Sequence, residues 1–353
     1  MTLEEIIRYP LEWTKGKGER SDVAISSRVR LARNIAAYRF PVRCDAGELK
    51  EIADAISKVL TTSPMLKRSK YVAIDDLSPL ARQVLVEDHL ISPEFAKGGV
   101  GRMVALDERG LVSIMVNEEE HLRIQVIMGG LNLQEVWRIA QAIDEELEAL
   151  GYAFDERLGF LTSCPTNVGT GMRASVMVHI PALEQMRSCG SLIRECNRLG
   201  LTVRGTYGEG TEAEGALYQI SNQVTLGLSE EELIEKVSSV VAQVADQEEA
   251  ARQELLRRQG VKLEDEMWRS WGALRYARLV SSREALKHLS LVKMGSDLGI
   301  TPHLDAEEWN SLILNIQPAH VEAFAGRALS PEERDVARGN FLRERLKKMI
   351  NEE

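Results

Sequence analysis

Three consecutive carboxylates stand between two apolar stretches in "VNEEEHLRI", residues 116–124. Glu118, Glu119 and Glu120 repel one another, so the group is either a plain solvated turn or a base prepared for a very weak acid. Arg123 lies three residues further on and can limit the repulsion. The outer carboxylates could also help to hold Mg²⁺ through water.

Five arginines stand in or beside segments whose residues alternate between polar and apolar types. They are Arg28, Arg30, Arg123, Arg173 and Arg204. Strict alternation sends the arginines of a strand to one face and its apolar residues to the other. If these strands share one sheet, the arginines converge, and such a cluster repels itself unless it binds an anion such as a polyphosphate. Any single arginine could instead lie on a solvated strand face with a salt bridge. The five together favour a phosphate site.

A glycine-rich stretch, "CPTNVGTGMRAS" (164–175), precedes and includes one of these arginines. Gly169 and Gly171 would allow the backbone to approach a phosphate closely, although glycines also form ordinary turns. The sequence contains no "GxxxxGK[ST]", no "GxGxxG" opening a helix, and no "HRD" with "DFG". The common phosphate-binding folds are therefore not supported, and phosphate binding here would use arginine side chains.

The spacing of capping and apolar residues predicts two unlike halves. Helix starts are indicated by Asp45 with Glu48, Asn132 with Glu135, Ser229 with Glu232, Ser281 with Glu284, and Ser330 with Glu333. Half-buried strands are indicated at 23–31, 111–117, 121–128, 173–180 and 216–223. Only the acidic group separates the second and third of these, which predicts an antiparallel hairpin. We predict an α+β domain, an antiparallel sheet flanked by helices, in residues 1–255 and an all-α domain in residues 256–353.

Composition limits the class of protein and its surroundings. The chain has 353 residues, 44% of them hydrophobic, and a formal net charge of -10. This charge argues against general binding to nucleic acid or membranes. The first residues lack a secretory signal, so we expect a cytoplasmic protein. Four irregularly spaced cysteines predict free thiols and no structural metal site.

Four motifs together resemble the phosphagen (guanidino) kinase family. They are "SSRVRLAR", "NEEEHLRI", "CPTNVGTGMRASV" and "RGTYGEGTEAEGALYQISN", in the family's order, and the resemblance covers roughly residues 20–255. Creatine and arginine kinases of this family carry a helical domain before the first motif, which here begins at residue 26. That difference and the helical C-terminal part resemble the bacterial protein-arginine kinase branch, whose substrate is an arginine side chain in a protein.

The resemblance implies a nucleotide site and the cofactors ATP and Mg²⁺. The implied nucleotide-contacting residues are Ser26, Ser27, Arg28, Val29, Arg30, His89, Arg123, Arg173, Ala174, Ser175, Val176, Met177, Arg204, Gly205, Thr206, Tyr207 and Gly208. It also implies that Glu119 and Glu209 are the carboxylates that bind the guanidinium, and that Cys164 is the reactive cysteine of the family. Glu120 replaces an Asp that many relatives carry, and the base position is intact.

The chemistry needs such carboxylates because a guanidinium keeps its proton up to a pKa above roughly 12. Its nitrogen has no free lone pair for attack at neutral pH. A carboxylate placed against one nitrogen can take the proton as phosphorus approaches, and a second can fix the orientation. Glu119 is then the base and Glu209 the clamp. The arginines and Mg²⁺ would stabilise the charge on the γ-phosphoryl during direct, in-line transfer.

The stretch "SPEERDVARGNFLRERL" (330–346) predicts a helix that carries a second charged group. Arg334, Asp335 and Arg338 share one face, and "RDVARG" resembles the "RDxxRA" motif with which the protein-arginine kinase branch binds phosphoarginine. Gly339 replaces the Ala of that motif. We expect an allosteric phosphoarginine pocket, coupled to activity through a helical-domain homodimer.

The resemblance also implies partners and leaves alternatives open. We expect protein substrates with exposed arginines, a zinc-binding activator protein, and delivery of the phosphorylated proteins to a Clp-type unfoldase and protease during stress. A kinase of free arginine or another small guanidino compound would share every catalytic residue. An inactive nucleotide-binding adaptor is a third hypothesis, which detectable phosphotransfer would eliminate.

Overall fold

An antiparallel sheet of eight strands organises the first part of the chain. We describe it from a computed structural model, which covers residues 1–206 and 213–350. The strands are β1 (Ala24–Arg33), β2 (Lys70–Ala73), β3 (Met103–Leu106), β4 (Val112–Val116), β5 (Leu122–Gly129), β8 (Met172–His179), β9 (Leu201–Gly205) and β10 (Leu217–Asn222). Their order is β2-β3-β4-β5-β1-β8-β10-β9. A separate two-stranded hairpin is formed by β6 (Phe154–Asp155) and β7 (Gly159–Phe160). Strand β1 therefore lies in the middle of the large sheet.

Helices cover the sheet and form all of the regular structure after β10 in the described residues. The helices are α1 (Leu3–Ile7), α2 (Ala46–Thr62), α3 (Pro79–Glu87), α4 (Leu133–Leu147), α5 (Pro181–Gln185), α6 (Cys189–Arg198), α7 (Glu230–Gln259), α8 (Val261–Tyr276), α9 (Ser282–Asp297), α10 (Ala306–Asn315), α11 (Pro318–Ala325) and α12 (Pro331–Ile350). This arrangement confirms the predicted α+β class and the helical C-terminal part. In the described parts of the chain, no helix has both the length and the apolar character needed to cross a membrane.

The two faces of the sheet differ because its residues alternate. Helices α4 and α7 pack on one face, where Val29, Leu31, Ile124 and Val126 are buried in a large apolar core. The opposite face is apolar only in places, and its centre is polar. The alternation of strand residues therefore produces one structural face and one face that is open for chemistry.

The C-terminal helices contact the sheet domain at several points. Helix α11 packs on α3, α10 on the short 3₁₀ turn at Glu12–Lys15, and α9 on α5. Helix α7 continues through the predicted boundary after residue 255 and ends at Gln259, where Gly260 (φ 46°) separates it from α8. The two predicted domains thus share one continuous helix at their junction.

All five predicted helix starts are found, at the beginnings of α2, α4, α7, α9 and α12. Reciprocal capping boxes are present at Asp45, Ser229 and Ser330, and Ser281 accepts a hydrogen bond from the backbone N–H of Glu284. Helix α4 begins directly after Asn132, as predicted, but the side chain of Asn132 makes no capping bond. Its amide instead donates to the carbonyl oxygens of Lys17 (2.9 Å) and Gly129 (2.6 Å).

Candidate active site

A row of positive charge crosses the open face of the sheet. Arg28 and Arg30 lie on the central strand β1, and Arg173 on β8 stands directly opposite Arg30. Arg123 on β5 and Arg204 on β9 fall on the same face through the strand registers. The convergence predicted from alternation is therefore present.

The arginines of this row disturb one another. Burial and the charges of Arg123 and Arg173 lower the pKa of Arg28 to about 10. Burial and the same neighbours, together with Arg28, lower the pKa of Arg30 well below its usual range. The Nε atoms of Arg30 and Arg173 are buried and have no hydrogen-bond partner among the described residues. Unmatched donors and uncompensated charge together indicate a site that an anion completes.

A cavity of about 310 Å³ opens at one end of this row. Eight of the residues that the resemblance implied for nucleotide contact line it: Ser26, Arg28, His89, Ser175, Met177, Arg204, Gly205 and Thr206. Ile127 and Gln219 line it as well and were not predicted. Both could have been found from register, because Ile127 stands opposite Arg28 and Gln219 opposite Arg204.

Four other residues that the resemblance implied for nucleotide contact face away from this cavity. Strand alternation places the side chains of Ser27, Val29, Ala174 and Val176 on the opposite face, where all four are fully buried. The Oγ of Ser27 donates to the carbonyl oxygen of Gly130 at 2.8 Å. The resemblance implied consecutive residues of a strand as nucleotide contacts, whereas only every second side chain can reach a ligand on one face. Their contribution is to the core.

His89 lies in the cavity wall and has an unusual backbone conformation. Its φ of 63° is in the left-handed region, and its carbonyl oxygen accepts a hydrogen bond from Gln125 at 2.7 Å. Its ring centroid is 5.4 Å from that of Trp13. Burial and the charge of Arg28 lower the pKa of His89 to about 3. The imidazole is therefore neutral at physiological pH and can pack against an aromatic base.

A second, broader cavity of about 950 Å³ opens beside Arg30. Glu119, Arg123 and Ser163 also line it. Arg28 and Arg30 are two residues apart on one strand face, a separation of roughly 7 Å. One molecule with a chain of phosphates could therefore contact both cavities along β1.

The acidic loop at the tip of the β4–β5 hairpin separates its three carboxylates. Glu118 is buried and accepts hydrogen bonds from Arg123 (2.5 Å) and from the hydroxyl of Ser92. Glu119 is exposed in the broad cavity, and its carboxylate has no partner among the described residues. Two of the three carboxylates thus bind protein donors, and Glu119 remains available for a substrate.

Glu120 ties this loop to the segment that carries the predicted reactive cysteine. It is buried and accepts hydrogen bonds from the Asn34 amide (2.5 Å) and the Ser163 backbone N–H (2.8 Å). Cys164 is half-buried, and its Sγ lies 3.0 Å from the Oγ1 of Thr166. Glu118 and Glu120 have a structural role, because their oxygens accept bonds from the protein. The expectation that they also help to hold Mg²⁺ through water stays a prediction.

Three of the predicted site residues, Tyr207, Gly208 and Glu209, lie outside the described residues. The chain leads to them from the wall of the smaller cavity, which Gly205 and Thr206 line. The assignment of Glu209 as the second carboxylate stays a prediction.

The charged group predicted on helix α12 is partly engaged within the protein. Arg338 is buried and donates to the carbonyl oxygens of Ile316 (2.7 Å) and Val280 (2.8 Å) and to Asp335 (2.6 Å). Arg334 is half-buried and pairs with Glu322 at 2.8 Å. Arg338 therefore joins α12 to the loop before α9 and to the turn after α10, while Arg334 and Asp335 remain accessible.

Gly339, which stands where the related motif has Ala, fits a close contact in this structure. A Cβ atom there would lie 2.9 Å from the carbonyl oxygen of Arg278. Helix α12 thus approaches the backbone after α8 more closely than a side chain would allow. The departure from the motif is explained by this packing.

Comparisons with known proteins agree with the geometry. A model for the ATP:guanido phosphotransferase C-terminal catalytic domain matches residues 51–251, and a model for the protein-arginine kinase McsB C-terminal domain matches residues 260–353. The protein-arginine kinase of Brevibacillus brevis is 46% identical over 357 residues, with 100% of both chains covered. This chain belongs to the protein-arginine kinase family.

Further members and more distant structures support the same assignment. The protein-arginine kinase of Symbiobacterium thermophilum is 46% identical, with 97% of this chain and 98% of the relative covered. A crystal structure of lombricine kinase has a TM-score of 0.60 at 27% identity and covers 70% of this chain and 71% of its own. The duplicated taurocyamine kinase from Schistosoma mansoni has a TM-score of 0.61 at 26% identity, with 72% of this chain and 38% of that chain covered. The guanidino kinase fold of this family member is thereby confirmed.

Proposed function

We propose that this enzyme transfers the γ-phosphoryl group of ATP directly to the side chain of an arginine in a protein, with Glu119 as the base. One observation carries the proposal. The unpaired carboxylate of Glu119 shares a cavity with Arg30, and Arg28 on the same strand face lines the neighbouring cavity. A base and a set of phosphate-binding groups therefore lie next to one another in two neighbouring cavities.

The reaction balances with these groups. Glu119 takes a proton from a terminal nitrogen of the substrate guanidinium, and the freed lone pair attacks the γ-phosphorus. The bond between the γ-phosphorus and its bridging oxygen breaks, and ADP leaves on the opposite side. The products are phosphoarginine, ADP and one proton. Arg28, Arg30 and Arg173 stabilise the charge on the phosphoryl oxygens without moving, because the strands already hold them in place.

The nucleotide would lie across the two cavities. The smaller one fits the base and ribose, with the neutral ring of His89 against the base, and the arginine row fits the phosphates. The buried, unpartnered Nε atoms of Arg30 and Arg173 are donors that phosphate oxygens would satisfy. When bound with the nucleotide, Mg²⁺ would neutralise part of the charge of the phosphates. No group of three potential metal-ligating side chains occurs in the described residues. The phosphates of ATP, and not protein side chains, would therefore supply most of the ligands of Mg²⁺.

Two further roles follow from the resemblance. Glu209 would bind a second nitrogen of the guanidinium and fix its orientation for attack. Cys164 would contact the same group from the segment that Glu120 holds. The hydrogen bonds from the Ser163 and Cys164 backbone to Glu120 (2.8 and 3.4 Å) support this, because they connect the cysteine to the loop of the base.

We also propose the regulatory and cellular roles that the resemblance implied. Arg334, Asp335 and Arg338 would bind phosphoarginine away from the active site, with a homodimer of the helical domain transmitting the effect. The protein would act in the cytoplasm during stress, with a zinc-binding activator protein as partner. Proteins phosphorylated by it would pass to a Clp-type unfoldase and protease.

The test of the central proposal uses γ-labelled ATP with an arginine-rich protein and, separately, with free arginine. We expect label in the protein that is lost in mild acid, because the N–P bond of phosphoarginine hydrolyses there whereas phosphoserine persists. Label on free arginine with comparable efficiency would instead favour a kinase of small guanidino compounds. Absence of transfer to both would favour the nucleotide-binding adaptor.

A further inference from the structure

The broad cavity is larger than the group it must hold for chemistry. Its volume of about 950 Å³ is at the upper end of the roughly 300–1,000 Å³ that accommodates drug-sized ligands. A single arginine side chain is much smaller than such a ligand. The cavity therefore has room for residues next to the target arginine.

Two exposed apolar side chains border this cavity. Val42, in the 3₁₀ turn Pro41–Arg43, is 80% exposed, and Val100 is 43% exposed. Both line the same cavity as Glu119. Single exposed apolar residues are common on protein surfaces. These two are distinguished by their shared position beside an unpaired catalytic carboxylate.

The loop that carries Val100 is fixed to the loop that carries the base. The amide of Asn117 donates to the carbonyl oxygens of Leu49 (2.7 Å) and Gly101 (3.1 Å). Gly101 has a φ of 70°, and a Cβ atom there would lie 2.6 Å from the Leu49 oxygen. Asn117 is two residues before Glu119 in sequence. The position of the Val100 loop relative to the loop of the base is thus held by the fold.

A second connection comes from the other side of the same loop. The Nε of Arg102 donates to the carbonyl oxygen of Asn117 (3.2 Å), and its Nη1 donates to that of Glu94 (2.7 Å). Glu94 also lines the cavity. The part of the border that carries Val100 is therefore preorganised, and a substrate that contacts it would lose little free energy in ordering the enzyme.

We propose that Val42 and Val100 form an apolar rim that binds the polypeptide on either side of the target arginine and favours substrates with apolar neighbouring residues. The inference rests on the proposed function, because it assumes that the acceptor is an arginine in a protein. The occupant of the rim is a flexible or extended protein segment. The rim acts on the affinity for that segment and leaves the chemical step to Glu119.

Two peptides test the rim directly. One carries a single arginine between leucines and the other the same arginine between glycine and serine, with free arginine as a third acceptor. Partial burial of each valine against leucine predicts a KM about tenfold lower for the leucine peptide in the unmodified enzyme. The variant with both Val42→Asp and Val100→Asp should lose this difference, while its kcat and its KM for ATP stay within about twofold.

Matched variants separate the rim from general effects. Val261→Asp changes a valine that is 78% exposed at the start of α8, and it should keep the full preference. Val42→Thr retains the shape but adds a hydroxyl group, and it should lose part of the preference without affecting folding.

Equal KM values for the two peptides in the unmodified enzyme, or an unchanged preference in the double variant, would overturn the rim. Phosphorylation of free arginine with no phosphorylation of either peptide would overturn the proposed function, and the rim with it. The two failures are therefore distinguishable.

Discussion

Arg30 and Arg33 lie three residues apart on strand β1 and have opposite electrostatic surroundings. Arg33 is 1% exposed and pairs with Asp144 at 2.7 Å. Its Nη1 donates to two backbone carbonyl oxygens at 2.9 Å, and its guanidinium lies 3.5 Å from the centre of the Phe160 ring. Arg30 has Arg28 and Arg173 as neighbours, and its buried Nε has no partner among the described residues. Arg33 therefore stabilises the fold, whereas Arg30 has the surroundings that we propose for a phosphate-binding residue.

Near the domain junction, buried charges are paired with opposite charges, as Arg33 is. Glu248 is fully buried and accepts hydrogen bonds from Arg252 (2.9 Å) and from the backbone N–H groups of Ala182 and Leu183. Arg252 in turn pairs with Asp297 at 3.1 Å. Where this protein buries an arginine for structure, as at Arg33, Arg252 and Arg338, an opposite charge is present. Positive charge without an opposite partner is concentrated on the open face of the sheet, and this difference supports our proposal that the reaction takes place there.

The largest predicted effects, on activity and on stability respectively, come from replacing Arg30 and Arg33. Arg30→Met should lower kcat/KM for phosphotransfer by about 100- to 1,000-fold, because a preorganised phosphate donor is lost. Its free energy of unfolding without nucleotide should be unchanged or higher, since an uncompensated charge is removed. Steady-state kinetics and equilibrium unfolding in urea measure both quantities.

Arg33→Met is the matched control on the same strand. It leaves Asp144 without its partner and should lower the free energy of unfolding by about 3–5 kcal/mol. The comparison fails if Arg30→Met is destabilised as much as Arg33→Met.

A smaller effect, on the pH dependence of stability, is expected for a charged histidine between the two domains. His320 on α11 is buried and contacts Glu87 (2.8 Å) and Asp88 (3.0 Å) at the end of α3. Burial alone would lower the pKa of His320, but its hydrogen bonds to Asp88 and Glu87 raise it to about 9. Burial also raises the pKa of Asp88 against the influence of His320. We place the proton on the imidazole because both of its nitrogens meet carboxylate oxygens.

The pH dependence follows from the raised pKa. The pair's contribution to stability is fully present below pH ~6.5, the value for an unfolded histidine, and is lost as the pH rises through about 9. Unfolding measured from pH 6 to 10 should show this loss in the unmodified protein and a flatter profile in His320→Gln. Parallel profiles would show that the histidine is not charged at neutral pH.

The smallest effect on stability is expected at the accessible charges of α12. The half-buried pair between Arg334 and Glu322 should contribute only about 0–1 kcal/mol. Arg334→Ala combined with Asp335→Ala should nevertheless abolish the response of activity to added phosphoarginine. Arg338 is unsuited to this test, because its bonds to Ile316 and Val280 make it structural. An equal response of the double variant and the unmodified protein would eliminate the pocket.

Local pattern was enough to predict the central strands and the arginine row. The alternation in β1, β5 and β8 depends on neighbouring residues alone, and it assigned Arg28, Arg30, Arg123 and Arg173 to one face. The short strands β2, β3 and β9 were not predicted as full strands, because four or five residues contain too little alternation to distinguish a strand from a loop.

Partners distant in sequence could not be predicted from local pattern. Glu118 and Glu120 differ from Glu119 through partners that include Ser92, Asn34 and Ser163, which the fold brings to the loop. Similarly, Glu248 and Arg252 have the spacing of an exposed helical pair, and only the packing of α7 against α5 buries them. Sequence located the carboxylates, and tertiary structure decided which of them is free.

The most direct test of the account is Glu119→Gln, compared with Glu94→Gln. Both residues line the broad cavity, but Glu94 pairs with Lys97 at 2.5 Å and has no proposed part in the chemistry. Binding of ATP and formation of acid-labile phosphoarginine in a protein substrate are measured on the same samples. We predict that Glu119→Gln binds ATP within about twofold of the unmodified protein and forms phosphoarginine at least about 100-fold more slowly, while Glu94→Gln retains near-normal turnover. A folded Glu119→Gln protein with near-normal turnover would contradict the account.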